Sequence, residues 1–206
     1  MKKILTTAIL AICLTSSCAA QMSVTDALKL RHSERSYATT PLTDQQIIDV
    51  LWAANGISHD EKRTAPSAID AQDIEMYVCS AKGTFKYVDS DKLQKVTDQD
   101  IRPLFKGRNS FVDQAPVTIL LISNQENFGT PRPGKENRNL NFGMMDAGIV
   151  SENISLYCTA VGLGTVCCAP PMPAAEIQKA LKLNDKQIPI IYHPIGYPAN
   201  PNEYKK

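Results

Sequence analysis

Two different periods of apolar residues run along the chain, one typical of helices and one of strands. Helical spacing follows two capping sequences, which are residues 23–26 and a capping box at residues 43–46. Gly56 is placed to end the second of these helices. In the first helix, the positions expected to face the core are Val24, Ala27 and Leu28.

Strand-like runs lie further along the chain. Residues 74–80 and 84–89 are joined by a short turn with Gly83, which predicts a hairpin. Residues 116–123 form an unbroken apolar run, which is typical of a buried central strand. Residues 187–196 predict the last strand.

Three further helices and one long loop complete the pattern. Residues 91–105 are expected to be helical with a break at Pro103, and residues 173–183 to form a short amphipathic helix. Residues 124–139 read as a loop, and residues 142–161 as a long helix. Its expected buried positions are Met145, Ile149, Ile154, Leu156 and Tyr157. Because helices and strands mix without strict alternation, the predicted class is α+β.

The first twenty residues carry the pattern of a secretory signal peptide. Lys2 and Lys3 precede an apolar run at residues 4–14, and small residues follow up to Ala20. The apolar run is too short to span a membrane, which takes roughly 20 residues. We therefore expect a signal peptide at residues 1–20 and a single domain at residues 21–206.

Two ways of processing this segment remain open. The sequence Ser16-Ser17-Cys18 is similar to a bacterial lipoprotein box, in which a lipid on Cys18 would attach the protein to a membrane. Ordinary cleavage near Ala20 would instead release a soluble protein. Both predict export, either to the periplasm or to a membrane surface.

Composition narrows the function classes. The chain has 206 residues with 22 Lys and Arg against 21 Asp and Glu, so it lacks the basic excess of a nucleic-acid-binding protein. No pair of its histidines and cysteines has the spacing of metal ligands, so no metal is expected. The cysteines are expected to be small buried side chains rather than a disulfide framework.

The densest candidate site is residues 31–37, which directly follow the first helix. Arg31, His32 and Arg35 supply positive charge, and Ser33 supplies a hydroxyl, a combination suited to binding phosphate. From composition alone, a solvated helix end explains the same residues. Two other candidate segments are residues 63–68 and the small-residue stretch 162–171.

Taken in this order, the segments resemble the nitroreductase-like flavoprotein family across nearly the whole chain after the signal peptide. The matching segments are residues 31–37, 47–56, 66–68, 115–116, 146–148, 162–164 and 196–198. The segments at 52–56 and 63–67 look most like the branch that includes azoline-forming peptide dehydrogenases.

The resemblance implies a homodimer with FMN bound at the subunit interface. It also implies a mostly antiparallel sheet covered by helices, with chain ends exchanged between subunits. By position, Arg31 would contact the FMN phosphate with His32 and Ser33 beside it, and Arg35 would lie near N1 and O2 of the ring. Lys205 is the nearest candidate to close the phosphate site.

The remaining residues implied by the resemblance surround the flavin ring. The partner subunit would supply Pro66, Ser67 and Ala68, while Cys168 and Ala169 would lie against the ring near N5. Asp70 stands where many relatives carry Asn, and Asn109 lies where relatives place a polar side chain on the flavin edge.

The implied activity is hydride transfer through flavin N5 to nitroaromatics, quinones or similar acceptors. The electron donor would be NAD(P)H or, for an exported protein, a donor in the cell envelope. Two alternatives remain open at this stage: a flavin dehydrogenase acting on a peptide or small heterocycle, and a non-catalytic protein of the envelope that binds flavin or another ligand.

Overall fold

The computed structural model describes residues 22–88, 91–107, 110–135 and 137–201. The predicted signal peptide with Cys18, and the predicted site residues Asn109 and Lys205, lie outside the described residues. Every other predicted site residue falls within the described ranges, so its place in the fold can be compared with the sequence-based expectation.

The first two helices begin at the predicted caps. Helix α1 spans Val24–Leu30, and the Ser23 hydroxyl accepts a hydrogen bond from the backbone N–H of Asp26 at 3.1 Å. Helix α2 spans Asp44–Asn55 behind a complete capping box, and Gly56 ends it. Caps of this kind contribute about 1 kcal/mol each, because they satisfy backbone donors that the helix itself cannot pair.

The sheet has six strands, and each neighbouring pair is antiparallel, as predicted. The strands are β1 Ile74–Ser80, β2 Gly83–Val88, β3 Lys92–Thr97, β4 Val117–Asn124, β5 Gly164–Thr165 and β6 Gln187–Gly196. Their order across the sheet is β3-β2-β1-β4-β6-β5, which places the apolar strand β4 in the interior. The hairpin and both other predicted strands are confirmed.

The prediction of a helix at residues 91–105 is wrong. This region forms edge strand β3 followed by a 3₁₀ turn at Arg102–Phe105. Strand β3 pairs with β2, for example Lys86 with Gln94, and its three exposed residues are polar. A short, lysine-bearing strand is typical of a protected sheet edge, and its pairing with β2 outweighs the weak helical pattern.

Two helical layers cover the two faces of the sheet. Ile119 and Leu121 of β4 pack in a cluster with α2 and with α3, which spans Arg138–Ala160. Leu120 and Ile122 point to the opposite face and pack with α4, Ala174–Leu181. Each such side chain contributes about 1.5–3 kcal/mol on burial, so the two clusters hold the layers together.

Helix α3 begins earlier than predicted. It takes up the end of the segment expected to be a loop, and that segment opens with a 3₁₀ turn at Gln125–Phe128. Ile154 is buried as expected, but Met145 is 61% exposed and Ile149 is also exposed. Helix α3 buries another side against α2 and the sheet, so these two residues lie on its outward face.

In α1, too, two residues that were expected to face the core are exposed. Ala27 is buried, but Val24 is 72% exposed and Leu28 is 57% exposed, because α1 packs on α3 through a narrow side. The prediction of buried cysteines holds for Cys79, Cys158 and Cys168, whereas Cys167 is exposed; all four are free thiols. Within the described residues, no helix combines the length and apolar character needed to cross a membrane.

Candidate functional site

Residues 31–37 form an extended segment held between two parts of the sheet. Arg31 ends α1 by leaving helical geometry. The backbone N–H of Glu34 then donates to the carbonyl of Thr165 in β5 at 2.9 Å. On the other side, Tyr37 bridges to Pro198, just beyond β6. The segment therefore has a fixed backbone rather than the freedom of a solvated helix end.

Glu34 fixes this segment through its buried side chain. Its buried carboxylate accepts hydrogen bonds from the backbone N–H groups of Arg35 at 2.9 Å and Ser36 at 2.8 Å. Because side chains of an extended chain alternate, the inward position of Glu34 turns its two neighbours, Ser33 and Arg35, outward. Both are exposed, as is Arg31.

Arg35 lies beside two other parts of the chain. Its guanidinium carbon is 5.9 Å from the centre of the Phe111 ring. Burial raises the pKa of the Cys168 thiol to about 11, and the charge of Arg35 acts against this rise. Arg35 is thus close enough to Cys168 for its charge to act on the thiol, and the next residue, Ala169, is exposed.

A hollow of about 620 Å³ lies at the segment that follows Ala169 in the chain. Its lining comes from Leu104, Phe105, Gly107 and residues 170–173, which follow directly after Ala169.

His32 is turned toward the protein. Its Nδ1 lies 3.0 Å from the Leu30 carbonyl oxygen, and its Nε2 lies 3.5 Å from a carboxylate oxygen of Glu34. The described residues contain no ion pair between Arg31 or Arg35 and a carboxylate. The two exposed guanidinium groups of this segment are therefore available to an anionic ligand.

The predicted residues Pro66, Ser67 and Ala68 lie elsewhere in the same chain. The backbone N–H of Ala68 donates to both carboxylate oxygens of Asp146, in the middle of α3, at 2.9 Å each. Residues 31–35 instead lie near the far end of that helix. From Asp146 to Ala160 the helix rises about 21 Å. Within one chain, the two groups of predicted site residues are therefore far apart.

Asp70 belongs to this second group. It is exposed, has a left-handed φ of 57°, and its carboxylate accepts a hydrogen bond from the Gln72 side chain at 3.3 Å. The Ser67 hydroxyl accepts the backbone N–H of Gln72 at 2.8 Å. These contacts fold residues 66–72 into a tight loop over α3, which we call the 66–72 loop.

Sequence reasoning missed three residues that shape these two groups. Glu34 and Phe111 position Arg35, and Asp146 holds the 66–72 loop. An acidic residue between outward-facing cations in an extended segment could have indicated the inward role of Glu34. Nothing in the local sequence of Phe111 predicts its contact with a residue so distant in the chain.

Another cluster resembles a hydrolytic pair but is buried in the core. The Ser151 hydroxyl lies 2.8 Å from Nε2 of His193, and the Thr165 hydroxyl lies 3.1 Å from its Nδ1. Burial lowers the pKa of His193 to about 3. Since His193 has no exposed surface, this chain of hydrogen bonds supports the core and cannot meet a substrate. The described residues contain no group of three or more side chains suited to a metal ion.

Comparison with known proteins finds two relatives that are both named as nitroreductases. A Methanocaldococcus jannaschii protein named as a nitroreductase is 29% identical over 188 residues, covering 85% of this chain and 91% of that protein. A Methanothermobacter thermautotrophicus protein named as an NADH dehydrogenase/NAD(P)H nitroreductase is 26% identical over 182 residues, covering 87% and 79%.

A solved structure and a family model agree with these relatives. The crystal structure of a Ralstonia eutropha protein described as a nitroreductase superposes with a TM-score of 0.77 at 28% identity, covering 88% of this chain and 85% of that one. The sequence model described as the nitroreductase family matches residues 28–197, which include both groups of site residues. The chain belongs to the nitroreductase family.

Proposed function

We propose that this protein is an FMN-dependent oxidoreductase that passes electrons from NAD(P)H or an envelope donor to nitroaromatic, quinone or similar acceptors. The observation that carries the proposal is the pair of exposed guanidinium groups, Arg31 and Arg35, on one fixed segment beside Cys168 and Ala169. Membership of the nitroreductase family supports an oxidoreductase activity in particular.

The residues present fit the two ends of FMN. Arg31 and the Ser33 hydroxyl are exposed, and a guanidinium with a hydroxyl is a strong donor set for a phosphate dianion. The alternating geometry fixed by Glu34 keeps Ser33 outward. His32 lies beside this end with its ring nitrogens toward Leu30 and Glu34, and Lys205 beyond the described residues is the candidate to close it.

The ring end of the proposed site is formed by Arg35, Cys168 and Ala169. Bound FMN supplies two-electron chemistry through N5 of its ring. A fixed positive charge from Arg35 near N1 and O2 favours the anionic reduced form and so raises the flavin potential. Phe111 limits where the Arg35 side chain can lie. The chain's own contribution is therefore orientation and electrostatics, and it needs no covalent catalyst.

We infer that a second copy of the chain completes each site. Pro66, Ser67 and Ala68 are separated from Arg35 by most of the length of α3, so within one chain they cannot meet the same ring. A two-fold arrangement brings the 66–72 loop of one copy to residues 31–35 of the other. In this arrangement Asp70 and Asn109 are candidates for the ring edge.

The outward face of the helices supports such a dimer. Helix α3 presents exposed apolar residues at helical spacing, and α1 exposes two apolar residues as well. The residues of this apolar face are Val24, Leu28, Met144, Met145 and Ile149. Gly148 lies among them with open space where a β-carbon would be, so a second helix can approach closely there. Large exposed apolar surface of this kind is unusual on a monomer.

Export remains part of the proposal. Residues 1–20 carry the signal-peptide pattern, and Cys18 is the candidate for a lipid anchor. A protein outside the cytoplasm would have little NAD(P)H at hand, so an envelope donor is the expected physiological source of electrons.

Anaerobic turnover tests the proposed activity. The FMN-loaded chain is reduced with NADH, NADPH or dithionite and then mixed with a nitroaromatic compound or a quinone. We expect the acceptor to take up two electrons and to restore oxidised flavin. Full reoxidation by acceptors would support the enzyme and exclude a non-catalytic binding protein, whereas a reduced flavin that no acceptor reoxidises would contradict it. The Asp185→Asn variant, changed at an exposed loop residue that is not part of the proposed site, is the control.

A further inference from the structure

A pair of buried carboxyl groups lies under the 66–72 loop, and the proposed flavin chemistry uses neither of them. Asp73 directly follows the loop and has 0% of its surface exposed, and Asp146 of α3 is 2% exposed. One carboxylate oxygen of Asp73 accepts a close hydrogen bond from the Ser123 hydroxyl, which in turn accepts the side-chain amide of Gln125 at 2.6 Å. The other oxygen of Asp73 has no protein donor.

The two carboxyl groups are neighbours, because α3 packs at Gly143, one turn before Asp146, against the Ser123 hydroxyl that donates to Asp73. Burial, together with the neighbouring Asp146, raises the pKa of Asp73 to about 7, while the Ser123 hydroxyl acts in the opposite direction. Two ionised carboxylates in contact without a cation are strongly unfavourable, and one shared proton removes the conflict. That proton also satisfies the oxygen of Asp73 that lacks a donor.

Asp146 holds the loop through its other contacts. Both of its carboxylate oxygens accept the backbone N–H of Ala68, at 2.9 Å each. Three residues of the loop that are not glycine have left-handed backbones: Ile69 at φ 52°, Asp70 at φ 57° and Gln72 at φ 48°. Each left-handed residue costs roughly 1–2 kcal/mol, so this conformation persists only if its surroundings hold it.

The close packing of α3 on β4 keeps the two carboxyl groups together. A β-carbon at Gly143, one turn before Asp146, would fall 2.1 Å from the Ser123 hydroxyl oxygen. Glycine therefore lets α3 approach β4 closely enough to bring Asp146 to Asp73. The other charged groups around the pair are engaged elsewhere: Arg63 with Gln72, Asp70 with Gln72, and Glu75 with Lys86. Among the described groups, Asp146 is the one whose charge acts on Asp73.

We propose that Asp73 and Asp146 share one proton and act together as a positioning pair that holds the 66–72 loop over α3. Loss of the proton places two negative charges in contact and weakens the hydrogen bonds that Asp146 accepts from the backbone N–H of Ala68. Because the proposed function puts this loop against the flavin of the second copy, flavin binding would weaken as the proton leaves; this last step alone rests on the proposed function.

Carbon-13 NMR titration of aspartate carboxyl groups in the flavin-free full chain tests the shared proton. We expect one carboxyl of the pair to titrate near neutral pH, and this titration to be absent from Asp73→Asn. The asparagine amide can donate to Asp146 at every pH, so it mimics the protonated pair. Titration of both carboxyls in the range of ordinary aspartates would overturn the proposal.

Amide exchange at Ala68 tests the effect on the loop. Between about pH 5.5 and pH 8.5, we expect its protection factor to fall on the order of tenfold in the unchanged chain and to stay constant in Asp73→Asn. Asp60→Asn is the control. The backbone at position 60 is left-handed, a conformation that asparagine tolerates, so this variant should behave as the unchanged chain does. Equal Ala68 protection at both pH values in the unchanged chain would contradict the proposal.

A second variant keeps the test decisive if Asp73→Asn folds poorly. The Ser123 hydroxyl favours the ionised form of Asp73, so Ser123→Ala should move the release of the loop to higher pH. A shift to lower pH, or none, would contradict the proposal. These measurements need no flavin. FMN affinity that stays constant across the same pH range while Ala68 protection falls would leave the pair intact and contradict the proposed placement of the loop on the flavin.

Discussion

Glu34 packs so closely on Gly164 that a β-carbon at position 164 would fall 2.5 Å from Cγ of Glu34. This contact sets the depth at which residues 31–35 lie against the sheet. Gly164→Ala should push Glu34 outward, destabilise the fold by about 1–3 kcal/mol and weaken FMN binding. Thermal unfolding and fluorescence titration with FMN measure the two effects. Unchanged FMN affinity would show that Glu34 does not set the position of the proposed site.

Arg31 is predicted to bind the FMN phosphate. Arg31→Ala should weaken FMN binding by about 1.5–3 kcal/mol, the scale of a charge-assisted hydrogen bond. Equilibrium dialysis or fluorescence titration measures this loss. Lys29→Ala, which removes an exposed cation two residues earlier, near the end of α1, is the matched control and should change affinity little. Equal effects of the two variants would reduce Arg31 to a contributor of general positive charge.

Arg35 is predicted to tune the flavin rather than only to bind it. Arg35→Ala should lower the flavin midpoint potential, because the reduced anion loses its nearby positive charge, whereas Arg35→Lys should keep most of the potential. Redox titration of the FMN-loaded variants checks this. A potential that is the same in all three proteins would place Arg35 away from the ring.

The elements that the sequence predicts well are those whose signals are local. The caps at Ser23 and Thr43 and the apolar run of β4 are visible in a few consecutive residues. Strand β3 was missed because an edge strand owes its existence to pairing with β2, which lies outside any local window.

The candidate site divides in the same way. The cationic segment around Arg31 and Arg35 is visible as a motif, but the inward turn of His32 and the contact of Arg35 with Phe111 depend on the packing of distant segments. The expected burial of Met145 was wrong because apolar periodicity cannot tell the core of a chain from a surface that faces outward.

The apolar face of α1 and α3 is predicted to bury against a second copy. Ile149→Glu places a charge in this face and should shift the protein to monomers with weaker FMN binding. Analytical ultracentrifugation and FMN titration at matched protein concentrations measure both. Ala175→Glu, on the exposed side of α4 across the sheet, is the control and should leave the oligomeric state unchanged. A dimer that survives Ile149→Glu with full FMN binding would contradict this interface.

Asp73 is predicted to give the stability of the protein an unusual dependence on pH. The folded chain keeps a proton on Asp73 that the unfolded chain releases above pH 3.8, so this group lowers the free energy of unfolding as pH rises from 3.8 to about 7. His193 acts oppositely, because its stabilising contribution is lost as pH falls from 6.5 toward about 3.

Comparison of variants separates the two contributions. Urea unfolding across this range should show that Asp73→Asn removes the loss of stability toward neutral pH, while the effect of His193 remains in both proteins. If the difference in unfolding free energy between the two proteins does not change with pH, Asp73 carries no extra proton in the folded state.

The absorbance spectrum of the purified protein with added FMN, after removal of free flavin and under anaerobic conditions, tests the central claim most directly. Our account predicts flavin bands near ~450 nm at about one FMN per chain, which bleach on reduction by NADH, NADPH or dithionite. A protein that stays colourless after incubation with FMN would contradict it.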